Sequence, residues 1–257
     1  VNSVSVRALL VRGMLAGLAA GVLSWLVSYF LGESKVDAAI AFEEAHEAAA
    51  AGGAHEHAEE LVSRTMQATA GLGTAVGLFS IALGGIAALV FCFVLGRIGR
   101  FGVRATAALT AGGAFVAVSL VPFLKYPANP PAVGDPDTVG KRTTLYVLMI
   151  VLSLLLSAGA VILGRRLAPR LGNWNASVVA GAVFVVAIGL AFAFLPAVNE
   201  VPADFPATLI WQFRMVSLAI QATMWTAFGL VFGVLAERVL TPAPAGTPAA
   251  RSAAVPS

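Results

Sequence analysis

Residues 143–163 read TTLYVLMIVLSLLLSAGAVIL, between Lys141-Arg142 on one side and Arg165-Arg166 on the other. No charge interrupts the run. Its length is about the 20 residues that an α-helix needs to cross the hydrocarbon core of a bilayer. A β-barrel strand would be about half as long and would alternate apolar with polar residues, which this run does not. The segment is therefore expected to be a membrane-spanning helix. Five other stretches read the same way: residues 6–31, 71–95, 103–124, 176–195 and 211–235. The expected fold is all-α, a polytopic membrane helix bundle of about six spans in three hairpins over residues 1–240. No small-residue cleavage site follows the first run, so it reads as a retained helix and not a signal peptide. Residues 241–257, rich in Pro, Ala and Ser, read as a disordered cytoplasmic tail.

Composition agrees. Apolar residues make up 59% of the chain and charged residues 11%, whereas a soluble domain carries roughly 25% charge. A soluble fold of this length could not hide so much apolar surface. The single cysteine, Cys92, lies inside an apolar run, which excludes an internal disulfide framework. The sequence pI of about 9.4 does not indicate nucleic acid, because the basic residues form no patch. They punctuate the apolar segments, and this pattern sets membrane topology. Arg7 and Arg12 precede or open the first span. Arg97, Arg100 and Arg104 lie between the second and third, Arg165, Arg166 and Arg170 between the fourth and fifth, and Arg238 follows the sixth. These sides are expected to be cytoplasmic, with both termini inside and the chain in a bacterial inner membrane.

The segments on the opposite side open into spans that begin with an arginine: Arg64, Arg142 and Arg214. Those spans close on similar words, Leu95-Gly96-Arg97, Leu163-Gly164-Arg165 and Leu235-Ala236-Glu237-Arg238. The outgoing spans three and five both carry Phe-Val (Phe115-Val116, Phe184-Val185) and both reach a proline, Pro122 and Pro196. This reads as a parallel internal repeat of helical hairpins. Small residues recur four apart in Gly13-x-x-x-Gly17-x-x-x-Gly21, Gly73-x-x-x-Gly77 and Gly229-x-x-x-Gly233. Such faces let helices approach closely in lipid. Packing within the chain is the expected use, with a homo-oligomer interface or a substrate path as alternatives.

Ionisable groups are almost absent from the spans and gather at their mouths. Arg64, Arg142 and Arg214 on the outer side either snorkel to headgroups or pair with Glu200, Asp204, Asp135 or Asp137; Glu237 stands at the inner side. Gln212 and Gln221 read as helix-packing hydrogen bonders. The outer loop, 33–65, holds all three histidines of the chain. Its Ala and Glu favour helix, and Gly52-Gly53 is expected to break that helix in two. His55 and Glu59 are four apart and share a face. His46, His55 and His57 with Glu43, Glu47 and Glu59 are the candidate metal ligands. Imidazole with carboxylate suits Co²⁺, Ni²⁺ or Zn²⁺ better than Ca²⁺ or Cu⁺. The alternative is a solvated acidic helix pair with incidental histidines.

The ordered set of features resembles the CbtA family of predicted cobalt transporter subunits. It comprises the Gly-rich opening helix from Leu9 to Leu18, the Glu/His loop from Glu43 to His57, and Leu120-Val-Pro122-Phe-Leu-Lys-Tyr-Pro127-Ala-Asn-Pro130-Pro131 before Lys141-Arg142. Last comes the Leu195-Pro196 turn leading to Phe213-Arg214. The resemblance implies a membrane subunit that takes up cobalt for cobalamin synthesis, with a small His-bearing partner, CbtB. No resident cofactor is expected; Co²⁺ or a similar divalent metal is the candidate ligand, as transported cargo. The alternatives are a carrier for another small solute and an accessory membrane subunit that transports nothing. No span holds a Ser/His, paired-Asp or His-Glu-x-x-His constellation, so an enzyme is not expected. No Gly-x-x-x-x-Gly-Lys-Ser/Thr occurs either, so this chain is not expected to hydrolyse ATP.

Overall fold

The computed structural model describes residues 3–50, 62–131, 133–134 and 136–241. Among these all regular structure is helical. Helix α1 (Ser3–Val27) passes through a π-helical turn, Ser28–Gly32, into α2 (Glu33–Ala50). Residues Ser5–His46 thus form one rod of 42 residues, about 63 Å long at 1.5 Å per residue, twice the roughly 30 Å of a bilayer core. Short α3 (Arg64–Met66) leads through a second π-helix, Gln67–Gly71, into α4 (Leu72–Val94). A turn carrying Gly96 joins α4 to α5 (Val103–Ala114), which runs through a third π-helix, Phe115–Leu120, into α6 (Val121–Lys125). Pro122 lacks an N–H, so the ladder loses a bond next to this widened stretch. Helix α7 (Val139–Phe194) and helix α8 (Ala207–Leu240) are the last helices of the described residues.

Five of these continuous helices are long and apolar enough to cross a membrane, against the six separate spans expected. The expected fourth and fifth spans, 143–163 and 176–195, both fall in α7. Apart from Pro169, residues 165–171 are the strong helix formers Arg, Leu and Ala, and the segment between the two expected spans stays helical through that proline. The helix is broken at Gly172, with φ 73° and ψ 161°, a left-handed φ that glycine adopts without a Cβ clash. There the chain doubles back. A Cβ on Gly164 would stand 3.3 Å from the Ala180 Cβ, and Met149 shares a buried cluster with Ile188. Each arm, 139–171 and 173–194, exceeds the roughly 20 residues a crossing needs.

Small residues decide which helices touch. The face Gly13, Gly17, Gly21 of α1 lies on Ser80, Gly84 and Ala88 of α4. A Cβ on Gly13 would sit 2.6 Å from the Gly84 carbonyl oxygen, and one on Gly21 would sit 2.9 Å from the Ser80 Cβ. Gly229 and Gly233 of α8 pack in the same way on Ala111, Ala107 and Arg104 of α5. Gly77, the second glycine of the other pair, faces open space. Aromatic rings fill what the small residues leave. Phe91 meets Phe232 edge-on at 5.1 Å, and Phe232 stacks on Phe228 at 5.2 Å. Helices α1, α4, α5 and α8 therefore form one close-packed core. Helix α7 stands beside it and docks through Val121, Met149 and Ile188.

The bundle has two distinct ends. One, the arginine end, carries the 95–102 turn, Gly172 and the end of α8; there Arg104 pairs with Glu237 at 2.6 Å, tying α5 to α8. The other, the histidine end, carries α2, residues 126–131, 133–134 and 136–138, and the segment 195–206. A second small core there joins α2 to the start of α8 through Ala39, Phe42, Val133, Phe205 and Ile210.

Candidate functional site

Three helical faces converge at the histidine end. Along α8, Arg214, Ser217, Leu218 and Gln221 follow the i, i+3, i+4, i+7 spacing of a single face. Along α7, Val139, Arg142, Thr143 and Tyr146 repeat that spacing. Ser119, Phe123 and Tyr126 face them from the third π-helix and α6. With residues 127–131, Val133 and residues 198–201 they line a cavity of about 690 Å³. From Arg214 to Gln221 it descends about 10 Å along α8 at 1.5 Å per residue, two turns into the core.

The rim is ordered by arginines. Arg142 Nε stands 3.3 Å from Glu200 Oε2, and Thr138 donates to Glu200 Oε1 at 2.6 Å. The Arg142 guanidinium lies where a Cβ on Gly134 would be, so the absence of a side chain there, at φ 128°, leaves room for it. Arg214 is held by neutral acceptors: Nε donates to the Ala128 carbonyl at 3.3 Å and Nη2 to Asn129 Oδ1 at 2.9 Å. At the floor Trp225 Nε1 donates to Ser119 Oγ at 3.0 Å, and Ser119 donates to Gln221 Oε1 at 3.2 Å. The widened π-helical turn at 115–120 carries Ser119 at this contact, and such turns are frequent at functional sites. Helix α7 is clamped to the rim by Lys125, which donates to the Phe192 carbonyl at 2.7 Å, and by Tyr126, whose hydroxyl donates to the Pro196 carbonyl at 2.9 Å. Burial pushes the Tyr126 phenol above its ordinary pKa, so it stays a neutral donor through the physiological range.

The candidate residues named from sequence divide three ways. Arg142 and Arg214 come to one cavity, and Arg142 takes Glu200 among the partners named for it. Arg64 does not join them. It opens α3 and pairs with Glu33 and, at 3.0 Å, with Asp37, fastening the start of α4's segment to α2. The three arginines are thus not equivalent, because Arg64 finds carboxylates on the long first rod that the other two do not. The landmarks Pro122 and Pro196 also differ: the helix continues past Pro122 to Lys125 but stops at Phe194, before Pro196.

Of the metal candidates, His46 sits exposed on α2 with its ring stacked on Phe42 at 5.2 Å. Its Nε2 lies 2.9 Å from Asp204 Oδ2, a partner from the loop before α8 that stands outside the expected ligand set. Glu43 is exposed on the same helix. Glu47 lies in α2, with its side chain outside the described residues, and His55, His57 and Glu59 lie outside them altogether. Among the described residues no three His, Cys, Asp or Glu side chains gather as a metal site. Ser119, Tyr146 and Ser217 do not stand out in the sequence as site residues. A signal for Ser217 is present, since Arg214, Ser217 and Gln221 are the polar positions of one face of an otherwise apolar span.

Fold and cavity together define a multi-pass helical membrane protein with a vestibule, mostly apolar in its wall and bearing two arginines at its rim, sunk into one end of a close-packed core. The chain belongs to the CbtA family, described as probable cobalt transporter subunit, which it matches over residues 6–237. No curated protein and no solved structure matches it. Its role is accordingly that of a transporter subunit.

Proposed function

We propose that this chain is the membrane subunit of an uptake system for cobalt or a similar divalent transition metal, supplying cobalamin biosynthesis with a small His-bearing subunit of the CbtB type. Family membership across residues 6–237 carries this reading. Two geometric features support it. A vestibule opens at the same end as His46, and each arm of α7 is long enough for its own crossing. With six crossings and both termini in the cytoplasm, the histidine end faces outward. The outer segment then captures metal weakly through His46, His55 and His57 with Glu43, Glu47 and Glu59. Asp204 is positioned to accept a hydrogen bond from His46 Nε2–H, which would orient the ring and leave Nδ1 for the metal, as second-shell carboxylates do. Ligation needs the deprotonated ring nitrogen, so protons compete with the metal and affinity falls as the medium is acidified.

The test is cobalt accumulation in cells with the gene deleted, restored, and restored as His46→Ala/His55→Ala/His57→Ala. Deletion should lower accumulation, and the triple variant should restore it poorly at low external cobalt. Accumulation unchanged by deletion would refute the uptake reading. Full restoration by the triple variant would remove the histidines from it.

A further inference from the structure

The vestibule has the wrong charge and the wrong size for a bare divalent cation. Among the described residues its lining holds two guanidinium groups, Arg142 and Arg214, against one carboxylate, Glu200, and neither histidine nor cysteine. Among the described residues Arg142 faces that carboxylate, while Arg214 is held by a carbonyl and an amide oxygen, neither of which carries a charge. A dication entering there meets positive charge of the same sign at the mouth, in a setting where water screens it less than in bulk. A dehydrated first-row divalent cation needs about six donors at roughly 2 Å, whereas the cavity is about 690 Å³. That volume falls within the roughly 300–1,000 Å³ typical of small-molecule pockets.

The same features suit an organic anion. Guanidinium groups present a planar fork of donors that matches a carboxylate. Two of them stand at the rim, and hydroxyl and amide groups from Ser217, Tyr146 and Gln221 line the descent. A molecule bearing several carboxylates can engage rim and wall together.

We propose that the vestibule binds an organic polycarboxylate, and that a divalent metal reaches it as an anionic carboxylate chelate and not as the bare aquo ion. The metal half of this proposal rests on the uptake reading above; the anion half stands on the cavity alone. His46 and Asp204, on the rod and loop outside the cavity, would meet free metal before chelation or exchange.

The experiment uses the full chain in lipid nanodiscs and calorimetric titration with three probes: citrate, one-to-one Co²⁺–citrate, and Co²⁺ in a non-coordinating buffer. Wild type should bind citrate and Co²⁺–citrate. Arg214→Gln should weaken both roughly ten- to a hundredfold, the range for losing a charge-assisted hydrogen bond, and Arg214→Lys should recover part of the loss. Glu200→Gln, which removes the vestibule's carboxylate while keeping its shape, should tighten citrate binding. That gain cannot come from misfolding, so it separates charge from structural damage. No citrate binding by wild type, or affinities unmoved by Arg214→Gln, would overturn the proposal. So would bare Co²⁺ binding that Arg214→Gln strengthens and Glu200→Gln abolishes. Cobalt accumulation that depends on the gene, beside absent citrate binding, would sink this inference and leave the uptake reading standing. Citrate binding with the predicted charge dependence, beside gene-independent cobalt accumulation, would uphold the anion site and sink the uptake reading.

Discussion

Gly17→Ala and Gly77→Ala are the same chemical change in two helices of one bundle, and they should move stability in opposite directions. At Gly17 a Cβ would overlap the Ser80 carbonyl oxygen and lie 3.0 Å from the Ser80 carbonyl carbon and 3.1 Å from the Gly84 Cα. These are backbone atoms of α4, which cannot swing aside as a side chain end could. Relief requires α1 and α4 to separate by about 1 Å, and a gap of that size forfeits roughly a quarter to a half of each contact along the seam. Overpacking of this kind costs about 1–3 kcal/mol. Replacing glycine by alanine in a helix returns about 1 kcal/mol of propensity, leaving a net loss of up to about 2 kcal/mol. At Gly77 nothing lies within 4 Å of the added Cβ, so only the propensity gain of about 1 kcal/mol remains. Reversible unfolding in mixed micelles, followed by far-UV circular dichroism, measures both. The two variants should differ by about 1–3 kcal/mol, the overpacking cost, since the propensity gain is common to both. Equal shifts of the same sign would refute the claim that the α1–α4 seam is closed to a methyl group.

Two further outcomes follow from the packing. In a Cys92→Ser background, Gly164→Cys with Ala180→Cys should form a disulfide under mild oxidation, since a Cβ built at Gly164 stands 3.3 Å from the Ala180 Cβ, near the roughly 3.8 Å mean of disulfides; no cross-link on a gel would rule out the reversal at Gly172. Arg104→Gln should cost less than about 1 kcal/mol, because the Arg104–Glu237 side chains are 63% and 39% exposed and exposed pairs contribute little; a larger loss in the same unfolding assay would mean that the pair holds α5 to α8 more firmly than its exposure suggests.

Legibility followed the range of the interaction. The runs 103–124 and 211–235 lie within Val103–Lys125 and Ala207–Leu240, because helix and apolar length are properties of a segment. The helix at Glu33–Ala50 was readable from its alanine and glutamate, but its continuity with α1 was not. Glu33, Lys35 and Asp37 mark where the apolar stretch ends, not where the helix ends, and the π-turn at Ser28–Gly32 carries the ladder across. Positive charge at residues 165–170 marked the end of an apolar run but not a loop, since arginine is also a good helix former.

The vestibule was half readable. Arg142 and Arg214 stood out as charges at span mouths, yet nothing local distinguished them from Arg64, whose carboxylates, Glu33 and Asp37, lie on another rod. His46 finds Asp204 across most of the chain, and Ser119 joins Gln221 and Trp225 from a different helix. A bilayer acts as a solvent on each stretch separately, so the order of residues alone sufficed for an all-helical, membrane-crossing chain with glycine seams. Which seams meet, where α7 turns back and which two arginines share a cavity depend on backbones approaching within a methyl group of each other. Those contacts exist only once α1, α4, α5 and α8 have closed on one another.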